Sequence, residues 1–71
     1  MSELIFTIKE AEEGGYVAKC LTQSIFTEGE TMDELRVNVK EAVSCHFEDE
    51  SNAPTLIHLH FVKDELIPLG G

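Results

Sequence analysis

The stretch from Glu28 to Phe47, EGETMDELRVNVKEAVSCHF, constrains this chain more than any other because it specifies one helix together with its beginning. Gly29 closes what precedes it. Thr31, followed three residues later by Glu34, makes a capping box in which each side chain satisfies a backbone donor that the first turn leaves free. Met32, Leu35, Val39, Ala42, Val43, His46 and Phe47 then recur at helical spacing and form one stripe, while Asp33, Arg36, Lys40, Glu41 and Glu48 stay off it. The helix therefore has a face built to be covered. Asp33 and Glu34 sit where the positive end of the helix dipole favours carboxylates, whereas Asp49 and Glu50 oppose it at the far end, so fraying is expected near Glu48. A lone helix of this length is marginal in water, and its stability has to come from packing.

The rest of the chain supplies strands for that packing. Leu4 to Lys9 alternates Leu4, Phe6 and Ile8 with Ile5, Thr7 and Lys9, the period of a first strand. Gly14 and Gly15 admit positive backbone dihedrals without steric cost, which predicts a hairpin into a second strand over Tyr16 to Leu21. Ile25 to Glu28, bounded by Ser24 and Gly29, reads as a short third strand. After the helix, Glu48 to Pro54 is an acidic connection, and Pro54 forces Ala53 out of helical geometry. Thr55 to Val62 is a fourth strand, with Ile57, Leu59 and Phe61 on one face and Leu56, His58, His60 and Val62 on the other. Glu65 to Leu69 either extends or adds a short edge strand before Gly70 and Gly71. The expected fold is α+β, a small βββαβ domain in which a three-stranded meander and a further strand carry one helix on one sheet face. No second helix is left for the other face, and an uncovered apolar sheet face marks a subunit or partner interface.

At 71 residues the chain is a single domain, 1–71, and a chain this short buries only about 60 per cent of the surface it exposes when unfolded. No apolar run approaches the roughly 20 residues that span a bilayer, and MSELIFTIKE lacks the basic start and long apolar stretch of a signal peptide, so a cytoplasmic protein without membrane contact is expected. Five basic residues against fourteen acidic give a net charge of -9. Phosphate backbones are repelled by such a chain, which speaks against nucleic-acid binding; the charge either maintains solubility or meets a basic partner. Cys20 and Cys45, without secretory context, are expected to be reduced thiols packed as small hydrophobes.

The run Gly14, Gly15, Tyr16, Val17, Ala18, followed by Thr27, Glu28, Gly29, Glu30, Thr31 and then Asn38, Val39, Lys40, Glu41, Ala42, resembles the N-terminal domain of HicB-like antitoxins over most of Leu4 to Phe47. The resemblance implies a reduced relative of the ribonuclease H fold that has lost the catalytic carboxylates and neutralises a small basic ribonuclease toxin by binding it. Gln23 and Ser24 stand where that family usually has a Pro-Gly or Gly-Cys turn. Full-length members often carry a C-terminal DNA-binding domain, for which Gly71 leaves no room, so autoregulation by direct DNA contact is not expected.

The chemistry-bearing residues fit that expectation. His58 and His60, two apart in a strand, point to one side, but two imidazoles do not make a metal site, and neither a metal nor another cofactor is expected. His46 lies on the apolar stripe and reads as a core-edge histidine. The acids cluster in loops and at helix ends instead of converging from strand centres, as metal-dependent nuclease chemistry requires, and no nucleophile arrangement or phosphate loop is present, so no enzyme is expected. The leading expectation is a non-catalytic binding module, with Glu28, Glu30, Asp33 and Glu34 around the helix start and Glu48, Asp49 and Glu50 beyond its end as partner contacts. The alternative is a self-associating structural protein without a toxin partner; on either reading a homodimer or homotetramer is expected.

Overall fold

The computed structural model describes residues 3–47 and 53–70. Strands β1 (Glu3–Glu10), β2 (Tyr16–Cys20) and β3 (Phe26–Gly29) precede helix α1 (Met32–His46), and β4 (Leu56–Phe61) follows it. They form one sheet in the order β3-β2-β1-β4. The first three strands are an antiparallel meander, and β4 joins β1 in parallel, with Leu4, Phe6 and Ile8 opposite Ile57, Leu59 and Phe61. Parallel neighbours cannot be joined by a tight turn, so the chain leaves the sheet at β3, passes through α1 and returns at the opposite edge. The βββαβ expectation therefore holds.

Every helix boundary has a visible cause. The Thr31 hydroxyl accepts a hydrogen bond from the Glu34 backbone N–H at 3.1 Å, as the capping box predicts. The reciprocal bond differs by one residue, since Oε1 of Glu34 accepts from the backbone N–H of Glu30. At the far end the Phe47 N–H donates to the Val43 carbonyl at 2.9 Å, closing the last turn. The fraying expected near Glu48 lies outside the described residues.

Parity along β1 decides which sheet face is covered. Leu4, Phe6 and Ile8 are buried beneath α1 together with Ala18, Cys20 and Ile25, and the helix contributes Leu35, Val39 and Val43. Phe6, Ile8, Leu35 and Val39 are the largest side chains with essentially no exposure. Met32, Ala42 and Phe47 pack at the margin, as the helical stripe predicts. His46 does not: it is exposed, because it lies in the last residue of α1 beyond the end of the core, where its Nε2 lies 3.1 Å from Oε1 of Gln23. Ile57 and Leu59 point to the helix side but are half-buried, since α1 lies over β2 and β3 and β4 is the far edge.

Strand ends shift by a residue from their sequence periods. Leu21 falls just outside β2, although its N–H still donates to the Ile5 carbonyl, and the Val62 N–H extends the β4 ladder to the Ile8 carbonyl. Residues 11–15 turn β1 into β2 with Gly14 at φ 102° and Gly15 at φ 82°, conformations that side chains resist. After Val62 the described chain runs on to Gly70 without secondary structure, so Glu65 to Leu69 adds no edge strand. Cys20 is buried in the core, whereas Cys45 is an exposed free thiol on the outer side of α1, contrary to the expectation that both pack as hydrophobes. Among the described residues no helix is long and apolar enough to cross a membrane.

Candidate functional site

The β1–β2 turn, the end of β3 and the first turns of α1 meet around one open cleft of about 510 Å³. Two glycines make that meeting possible. A Cβ on Gly29 would stand 2.6 Å from the Leu35 backbone nitrogen, and one on Gly15 would stand 2.9 Å from the Gly29 carbonyl oxygen. The turn, strand and helix are thus in backbone contact, and only glycine fits between them. Asn38 ties the helix to the strand from the other side, its Nδ2 donating to the Glu28 carbonyl at 2.7 Å.

This packing brings Glu13, Glu28, Glu30 and Glu34 to the rim of one concavity. Glu34 is held by its bond from the Glu30 N–H, while among the described residues the carboxylates of Glu13, Glu28 and Glu30 accept no protein hydrogen bond. All four side chains are exposed. The N-terminus of α1 opens at the same place, and its dipole offsets part of the mutual repulsion of the carboxylates. The surface is acidic, solvated and fixed in outline by backbone contacts.

Three of the residues expected at a partner surface, Glu28, Glu30 and Glu34, therefore come together. Asp33 does not join them: it points away from the cleft and forms a 3.0 Å ion pair with Arg36 one turn on, the geometry of i,i+3 neighbours on a helix surface. Glu48, Asp49 and Glu50 lie outside the described residues. Sequence reasoning missed Glu13, which it assigned to a solvated loop. The signal was there in the pair Gly14–Gly15, because a turn that requires two positive dihedrals folds sharply enough to bring its flank against a neighbouring element.

The histidines take other places. His58 and His60 lie on the sheet face opposite α1 with ring centroids 6.4 Å apart, and His58 Nδ1 sits 2.9 Å from the Glu3 carboxylate. Among the described residues no three His, Cys, Asp or Glu side chains converge in a manner that could hold a metal ion.

No family model matches the chain, and no solved structure matches it. Two curated relatives do. A UPF0150 protein of Thermotoga maritima is 46% identical over 65 residues, which cover 92% of this chain and 90% of the relative. A UPF0150 protein of Archaeoglobus fulgidus is 46% identical over 46 residues, covering 65% of this chain and 68% of the relative. With such identity sustained over nearly the whole of both chains, this βββαβ protein belongs to the UPF0150 family.

Proposed function

We propose that the chain is a non-catalytic binding module of the HicB-like antitoxin type, which inhibits a small basic ribonuclease toxin by covering it. The observation that supports this reading is the acidic cleft, where Glu13, Glu28, Glu30 and Glu34 from three separate elements share one rim. A net charge of -9 adds a long-range field that steers a cationic protein to that rim and speeds encounter. The glycine-dependent packing of the cleft keeps its outline rigid, so little ordering has to be paid on association. On this reading the protein acts in the cytoplasm and makes no direct contact with nucleic acid.

The test begins with capture of partners from the native cell lysate on the immobilised chain at low salt, followed by elution at high salt. One small basic protein whose ribonuclease activity is suppressed by adding back this chain is the expected result. The triple variant Glu28→Lys, Glu30→Lys, Glu34→Lys should then bind it at least about tenfold more weakly and with a flatter salt dependence. Unchanged affinity would remove the cleft from the reading. A second reading, a self-associating protein without a toxin partner, is favoured by the apolar sheet face that α1 leaves open, on which Leu21, Phe26 and Leu56 are exposed.

A further inference from the structure

Among the described residues two apolar surfaces lack a cover, and they fit each other. The first is the sheet face opposite α1. Strand parity places Phe26 of β3, Leu21 at the end of β2, Ile5 of β1 and Leu56 of β4 on that face, so an apolar stripe crosses the whole sheet. Phe26, Leu21 and Leu56 are 62%, 61% and 59% exposed. The second is the segment after β4, in which Leu66, Ile67 and Leu69 are 94%, 73% and 93% exposed. These three large aliphatic side chains touch almost nothing of their own domain, and the chain measures 58 Å along its long axis against 21 and 18 Å across.

Length and charge both match. Four strands at about 4.8 Å spacing make a sheet about 14 Å across, and seven extended residues reach about 23 Å, so the segment Lys63 to Leu69 is long enough to cross every strand. Ile67 and Leu69, two apart, project to the same side of an extended chain. The segment begins with Asp64 and Glu65, and the stripe has Lys9 and Lys19 along the β1–β2 side, with Glu28 at the β3 edge and Glu3, 2.9 Å from His58 Nδ1, beside Leu56. A second copy brings an apolar arm whose root, Asp64 and Glu65, meets Lys9 and Lys19, and it receives the same in return.

We infer that two copies of this chain exchange their C-terminal arms, each laying Ile67 and Leu69 over the open sheet face of the other. The arrangement is isologous: the same two surfaces are used twice about a two-fold axis, and both are consumed. It leaves Glu13, Glu30 and Glu34 at the α1 N-terminus free, while Glu28 shares the strand face of Phe26, and it holds whether or not the chain inhibits a toxin.

Sedimentation equilibrium of the purified full-length chain tests this without any other protein. The expected mass is twice the 7.9 kDa of one chain. The arm variant Leu66→Ser, Ile67→Ser, Leu69→Ser should sediment as a monomer with an unchanged circular dichroism spectrum, since those residues are not in the core. The face variant Leu21→Ser, Phe26→Ser should also be monomeric. Mixing the two should restore a dimer, because the intact arm of one meets the intact face of the other. A monomeric native chain, an arm variant that remains dimeric, or a mixture that shows no dimer would each overturn the exchange.

Discussion

Replacing Gly29 by alanine should cost this protein more stability than any other single methyl group added to its surface. Gly29 ends β3 at the point where α1 crosses it, and a Cβ there would lie 2.6 Å from the Leu35 nitrogen, 2.8 Å from the Leu35 Cα and 3.1 Å from the Glu34 carbonyl carbon. All three are backbone atoms of a helix turn, so no rotamer change relieves the collision, and strand and helix have to separate. Forced separation of this kind costs about 1–3 kcal/mol. A domain of this size has in total about 4–10 kcal/mol of stability, so the loss is a large fraction of it. Urea unfolding followed by circular dichroism should show the midpoint falling by about 1–3 M, taking a slope of about 1 kcal/mol per M. Two controls locate the cause. Gly14→Ala, where φ is 102° but nothing lies within 4 Å, carries conformational strain without collision and should cost less. Leu35→Val, which shortens the side chain and leaves the backbone in place, should not rescue Gly29→Ala in the double variant. A midpoint shift under about 0.5 M for Gly29→Ala, or recovery in the Leu35→Val background, would refute the close strand–helix contact on which the cleft depends.

Other outcomes follow from single contacts. Thr31→Ala removes the hydroxyl that accepts from the Glu34 N–H and should lower stability by about 1 kcal/mol, measured by the same unfolding transition. Phe6→Ala, at a side chain with 0% exposure in the central strand β1, should cost about 3–5 kcal/mol and leave the chain largely unfolded at 37 °C by thermal circular dichroism. In the native protein a thiol reagent should modify Cys45 rapidly and Cys20 only on unfolding, which mass spectrometry of the labelled chain resolves.

Much of this architecture was legible in the chain because helix and strand signals are local. The Thr31–Glu34 pair placed the helix start at the residue where it stands, and the alternation of Leu4, Phe6 and Ile8 separated the two sides of β1. His46 shows where local reading stops. Its spacing puts it on the apolar stripe, but a stripe is buried only as far as the sheet beneath it extends, and that extent is not encoded in the helix. Asp33 illustrates the same limit at the site: neighbours in sequence around a helix start point in directions about 100° apart, so Glu34 turns to the cleft and Asp33 to Arg36.

What the sequence determined by itself is the kind, order and approximate bounds of the elements, together with an excess of acidic charge, because periodicity, capping and turn residues act over a few neighbours. What only the tertiary structure decided is which side of β1 the helix covers, how Glu13 comes to share a rim with Glu28, Glu30 and Glu34, and that Leu66, Ile67 and Leu69 are exposed. Those outcomes depend on strand register and on backbone approach at Gly15 and Gly29, contacts between residues far apart in the chain, and no local pattern carries them.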